Sequence, residues 1–390
     1  MKRTLFYAIM LLIPLVCAEF FAYQLTRSFG SLFGPNDQVL DAALDEETYQ
    51  KFLTESYHPE LGWQNPTDRT VTEANCIGEE KTYNWDEHGA RHTSPLEGDV
   101  QIIAVGDSYT HGHEVSDNES YPNRLEELLG VKVANYGVNG FGTLQAALQF
   151  EHVQEHHPAA KIAVLGVMSE NIRRVPNSYR GIFSPGRNTY LFKPYVEQRH
   201  NEPSVQANPN APPAKSVKDL RPKIDSALET DYWSLPQPSF PYLWSVVRAL
   251  KTNVFSFLVQ RKLAGNAAKV DYDNSELSDN LRHVVDRFIE SSTKRGVLPI
   301  VAFIPENGKH VDAPTEFIAA LRTDRPDTLI IDIGRAEIDW GRYNLNGTVC
   351  HPSPYGYEQI ARYVASAIEP LLSEGDLLQL PGQNGPKSSE

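Results

Sequence analysis

The chain has 390 residues, 41% of them hydrophobic, enough to bury a sizeable core in one large domain or two small ones. Its 36 basic side chains against 50 acidic ones leave a formal charge of −14, with no basic stripe to neutralise phosphates, which argues against a nucleic-acid partner. Cys17, Cys76 and Cys350 form no Cys-x-x-Cys pair, excluding a zinc ribbon, and there is neither a P-loop nor a dinucleotide glycine fingerprint.

Lys2 and Arg3 precede a mostly apolar run from Thr4 to about Leu25 whose only charge is Glu19. About 20 residues at ~1.5 Å each cross a bilayer. Basic residues ahead of the run keep the N-terminus in the cytoplasm and export the rest of the chain. Segment 1–25 therefore reads as a membrane anchor, with the remainder on the periplasmic or extracellular side. The alternatives are a signal peptide cleaved after Val16-Cys17-Ala18, which releases a secreted protein, and a lipid-modified Cys17. Residues 26–56 read as a polar, partly helical tether, acidic from Asp41 to Glu47, and residues 57–96 as a loop-rich leader. In an exported domain Cys76 and Cys350 are the two cysteines left to form a disulfide; two free buried thiols are the alternative.

Apolar runs at 101–105, 131–135 and 161–167 read as strands, alternating with helices near 120–129, where Pro122 suits a first turn, and from Thr143 to about His156. This rhythm implies a parallel sheet with right-handed crossovers, an α/β fold. It fails at about 175–241, rich in Pro, Asn and Tyr, which reads as a loop-rich insertion. Helical patterns resume at 242–263 and 275–295, strands at 298–304 and 328–333, and a last helix at 355–372, before a tail at 373–390 expected to be mobile.

Two stretches carry chemistry. In Val105-Gly106-Asp107-Ser108-Tyr109-Thr110-His111-Gly112, a glycine turn carries Ser108 out of a strand's C-terminal end, where open α/β sheets place their chemistry. In Cys350-His351-Pro352-Ser353-Pro354-Tyr355-Gly356-Tyr357, a histidine stands before the last helix. A serine needs such a base to become a nucleophile. Together, in this order, the blocks resemble those of the SGNH hydrolases, the GDSL lipase/esterase family, over about residues 57–372.

That resemblance implies a flavodoxin-like three-layer α/β/α sandwich and a serine ester hydrolase needing no cofactor and no metal. Ser108 would attack, with His351 as its base. The oxyanion hole would comprise the Ser108 N–H, the Gly140 N–H (Gly137 being the competing register) and Asn171, while Asp107 is structural. The implied substrates are acylated glycans or lipids, acetyl esters among them, with the membrane contacted through the N-terminal helix. A polysaccharide O-acyltransferase using the same acyl-enzyme and a non-catalytic binding protein are the alternatives. The family's aspartate, three residues before the histidine, is Thr348 here. This leaves a Ser–His dyad, an acid from elsewhere such as Asp332 or Asp339, or a degraded site. His152-Val153-Gln154-Glu155-His156 matches an inverted zinc-protease motif, but its place near a helix end suits a dipole contact better.

Overall fold

Five short runs of β-branched and aliphatic residues make one parallel sheet: β1 (Ile102–Gly106), β2 (Val133–Gly137), β3 (Ile162–Met168), β4 (Leu298–Ile304) and β5 (Leu329–Asp332). Their spatial order is β2-β1-β3-β4-β5, every neighbouring pair parallel. β1, β2 and β3 are buried along their whole length, which is why β1 and β3 read as continuous apolar runs rather than alternating ones. Helices Tyr121–Leu129 and Pro354–Ser373 pack together on one face, and helices Thr143–Val153 and Ser275–Lys294 on the other. Alternate strand residues feed each layer: Ile102, Ala104, Ile162, Val164, Ile300 and Ala302 join Leu125, Ile360 and Val364 in one cluster. The strand order reverses at β1, so the crevice beyond the C-terminal ends of β1 and β3 is the sheet's switch point.

This computed structural model describes residues 2–35, 37–91, 96–183, 188–264, 267–306, 311–347 and 350–373. Thr348 and all of the expected tail except Ser373 lie outside the described residues. The sheet and its helices belong to a compact unit made of Gln64–Val175, Val196–Gln206 and Asp271–Glu390; a second unit comprises Met1–Trp63, Pro176–Tyr195 and Ala207–Val270.

In the second unit, helix Lys2–Ser28 contains a stretch, Met10–Ser28, long and apolar enough by length and composition to cross a membrane. Residues 26–56, expected as a partly helical tether, carry helices. Helices Asp37–Ala43 and Glu46–Glu55 lie there, the latter capped by Asp45, whose carboxylate accepts from the Thr48 N–H at 2.7 Å, and Tyr49 is fully buried. The region expected as loop-rich contains helix Val217–Thr230, with Leu220, Ile224, Ala227 and Leu228 buried on one helical face. It also contains strands Tyr195–Arg199 and Glu202–Gln206, joined through His200 and Asn201 in the left-handed region. The helix expected over 242–263 is two helices, Tyr242–Ala249 and Asn253–Ala264. Thr252 divides them: its hydroxyl donates back to the Ala249 carbonyl at 2.7 Å and accepts from the Phe255 N–H at 3.2 Å.

Candidate active site

β1 ends at Gly106, and Asp107 caps the four-residue helix Ser108–His111 by accepting from the Tyr109 N–H at 2.9 Å. Two glycines let this turn seat itself. A Cβ on Gly106 would lie 2.0 Å from the Thr110 hydroxyl, and one on Gly137 would lie 2.0 Å from the His111 nitrogen. Gly137 is thus a packing position, whereas Gly140 stands three residues on, in the loop after β2, with φ +80°. Asn171, in the short helix after β3, donates its amide to the other Asp107 oxygen at 3.1 Å. Burial pushes the Asp107 carboxyl up, while the Arg174 guanidinium 3.6 Å away pulls it down. Ser108, Gly140 and Asn171 therefore follow the C-terminal ends of β1, β2 and β3 respectively.

His351 reaches this turn from the segment before the last helix. Its Nε2 lies 2.9 Å from the Ser108 Oγ. On its far side, Nδ1 lies 3.2 Å from Oε2 of Glu114, and the His351 backbone N–H donates to the same oxygen at 2.7 Å. The expectation of a dyad, or of Asp332 or Asp339 as the acid, is corrected here: the carboxylate at the imidazole is Glu114. Asp332 instead accepts from the Gly334 N–H, and Asp339 from the Gly341 N–H, each at 3.1 Å.

A dense set of contacts holds Glu114. The chain passes Gly112 in the left-handed region, where a side chain would also strike Ser120 at 2.4 Å. Glu114 itself has φ +70°, an uncommon state for a non-glycine residue. The fully buried Arg91 pins the loop. Its Nη1 donates to the carbonyls of His111 and Gly112 at 2.5 and 2.7 Å, its Nη2 to Val115 at 2.9 Å, and its Nε to Asp117 at 2.6 Å. The guanidinium also stacks on Tyr83, whose hydroxyl accepts from the Glu114 N–H at 3.1 Å. Burial drives the Glu114 carboxyl up, but the hydrogen bonds and charge of His351 outweigh it and hold the group below its ordinary value. His113 packs edge-on against His351, ring centres 4.7 Å apart. Burial, then the His351 charge, lowers it to about 4, so it stands neutral beside His351. Cys76 and Cys350 are joined as a disulfide, fixing the residue before His351 to the leader.

The serine and histidine open onto a cleft of about 190 Å³ with polar walls, among them Glu170, Arg174, Glu306 and Asn344. Among the described residues, the His/Cys/Asp/Glu triplets close enough to share an ion both contain Glu114; one is completed by the disulfide cysteines and the other by His113 and His351. His152 and His156 belong to neither; His156 stacks on His88, ring centres 4.0 Å apart.

No protein-family model and no curated protein matches the chain. Solved structures do resemble it. One, a lipolytic protein of the G-D-S-L family from Desulfitobacterium hafniense, is 11% identical, with 69% of this chain and 99% of that one covered at a TM-score of 0.35. Another, a family 3 carbohydrate esterase from Clostridium thermocellum, is 13% identical over 71% and 98% of the two chains, at a TM-score of 0.36. A third, a G-D-S-L family protein from Veillonella parvula, is 13% identical over 68% and 97%, at 0.33. At these identities and TM-scores the likenesses decide nothing about chemistry; the atoms of this chain have to.

Glu114 does not stand out in the sequence. Its signal is faint: a carboxylate six residues after Ser108, in the run His111-Gly112-His113-Glu114. Nothing in that spacing says the loop turns left-handed and doubles back to the histidine.

Proposed function

We propose that the chain is a serine ester hydrolase of the SGNH type, working through Ser108, His351 and Glu114. The observation that carries this is the continuous hydrogen-bonded line from the Ser108 hydroxyl through both ring nitrogens of His351 to a carboxylate. His351 Nε2 takes the hydroxyl proton as Ser108 Oγ attacks the ester carbonyl. Glu114 holds the ring with Nδ1 protonated and stabilises the imidazolium that forms. The imidazolium then gives its proton to the departing alcohol, leaving an acyl-serine. Water, deprotonated by the same nitrogen, releases the acid.

The oxyanion of each tetrahedral intermediate needs donors where its charge develops. The Ser108 N–H stands in the first turn of its helix, where backbone N–H groups have no intrahelical acceptor. Gly140 and the second N–H of the Asn171 amide are the other two donors in this reading. Asp107 serves them indirectly, by fixing Asn171 and the turn.

The small polar cleft suits a short acyl group such as acetyl, carried on a glycan or a lipid headgroup, better than a long hydrocarbon chain. The test is hydrolysis of p-nitrophenyl acetate, butyrate and longer esters by the full chain, with fluorophosphonate labelling in parallel. Activity on the acetate that falls with chain length, and a label mapped to Ser108, support the reading. A Ser108→Ala protein that stays folded and fully active refutes it.

A further inference from the structure

Helix Lys2–Ser28 exposes large apolar side chains all round: Tyr7, Leu11, Ile13, Val16, Phe20 and Phe21 are each more than half exposed. A patch of this size in contact with water is untenable, and hydrocarbon is the medium it fits. The patch does not end with that helix. Tyr242–Ala249, in the same compact unit, packs against it, with the Tyr23 and Tyr242 rings 4.9 Å apart.

The second helix is two-faced. Ser245 and Ala249 are buried and Arg248 is paired with Glu229 at 3.0 Å, whereas Phe240 and Trp244 are 75% and 58% exposed, and Leu243 and Leu250 are exposed too. Leu243, Val247 and Leu250 recur at helical spacing, and Leu12, Leu15, Val16 and Phe20 of the first helix line an apolar groove of about 930 Å³ with Leu243, Trp244 and Val247.

We infer that Phe240–Leu250 is a second membrane-contacting element, lying in the headgroup and upper acyl region of the bilayer beside the N-terminal helix, with phospholipid acyl chains filling the groove. Depth supports this. At ~1.5 Å per residue, about 30 Å of hydrocarbon entered near Thr4 is left near Gln24. Tyr23, and with it Tyr242 and Trp244, then falls at the far interface, the level aromatic residues favour. Glu19 agrees. A carboxylate within an apolar span is costly unless satisfied, and this one accepts from the Tyr242 N–H and, at 3.1 Å, from the Leu243 N–H. It thereby caps the second helix and ties the two elements together at that depth. The inference does not depend on the ester-hydrolase reading.

The test uses the full chain in phosphatidylcholine vesicles. Some carry phosphatidylcholine brominated near the headgroup end of its acyl chains, others phosphatidylcholine brominated near the chain ends. Of the five tryptophans, Trp63 and Trp233 are buried and Trp85 and Trp340 are half-buried in the unit that holds the sheet, so lipid quenching should come chiefly from Trp244, which is 58% exposed. The shallow bromine should quench more than the deep one, and Trp244→Phe should lose most of that quenching while the protein still floats with the vesicles. Equal shallow quenching in wild type and Trp244→Phe overturns the inference. So does a chain that does not float, or a Trp244 shielded only in a detergent-solubilised dimer.

Discussion

Replacing Glu114 with glutamine probes the site most sharply, because it removes one charge and little else. The amide that replaces the carboxylate keeps an oxygen able to accept from the His351 backbone N–H and from Nδ1, so the loop has no steric reason to move. The lost quantity is the attraction between a carboxylate and the imidazolium of the transition state. Unit charges ~4 Å apart at an effective dielectric of about 20 attract by ~4 kcal/mol. His351 is 29% exposed and Glu114 11%, so water screens part of this, and the neutral hydrogen bond that remains recovers roughly half of a charge-assisted one. A loss of ~2–3 kcal/mol remains, about 30- to 150-fold in kcat. KM should change little, since Glu114 acts through His351. The assay is p-nitrophenyl acetate hydrolysis alongside thermal melting. A Glu114→Gln enzyme that keeps kcat within about twofold of wild type, with an unchanged melt, would show that the carboxylate is a bystander and that the dyad is the working unit.

The remaining predictions use the same assays. Ser108→Ala and His351→Ala should each abolish turnover, and the double variant should be no worse than either, since the two act as one unit; additive losses would refute this. Arg91→Met should cost about 3–5 kcal/mol, because it strands the buried Asp117 carboxylate and frees the 111–115 carbonyls; a denaturant midpoint close to wild type would contradict the pinned loop. Reducing the Cys76–Cys350 bond opens a loop of 274 residues, for which chain entropy sets a ceiling of ~5–6 kcal/mol. Melts with and without reductant should differ, and identical curves would argue that the staple is idle. Because the folded Glu114 carboxyl lies below its ordinary value of 4.5, its contribution is fully present above that pH and is lost as pH falls through its lowered value. The melting difference between wild type and Glu114→Gln should therefore shrink on acidification below roughly pH 4.5 and stay constant above it.

The doubly wound sheet was legible because both its faces are covered: β1, β3 and β4 appear as unbroken apolar runs between helical patterns, and their bounds agree with the sequence to within a residue. Helix Val217–Thr230 was legible in principle, through Leu220, Ile224, Ala227 and Leu228, but the surrounding prolines and asparagines read as loops. Ser108 and His351 could be read because each stands at a place the topology makes special. Glu114 could not, since its position depends on two departures from ordinary backbone, at Gly112 and at Glu114 itself, that local sequence does not encode. The family pattern, read at position 348, says where an acid usually stands, not where a carboxylate can reach Nδ1.

The leader makes Glu114 workable. A free glutamate in a surface turn loses side-chain and backbone freedom when it is fixed, and a left-handed backbone adds strain. Here Arg91 commits four hydrogen bonds to one short loop, and Asp117 neutralises it in place. Tyr83, from the strand Glu80–Trp85, takes the Glu114 N–H and lies against the guanidinium, while the Cys76 disulfide fixes the residue before His351. Glu114 and His351 are thus each anchored to the same stretch, residues 76–91, by unrelated interactions. Trimming the leader to start at β1 should therefore damage both stability and turnover: the buried Asp117 loses Arg91, Glu114 loses Arg91 and Tyr83, and His351 loses the disulfide. A chain starting just before β1 that stayed folded and retained wild-type kcat would mean that the loop holds its own shape, and that the leader's contacts follow the active site rather than form it.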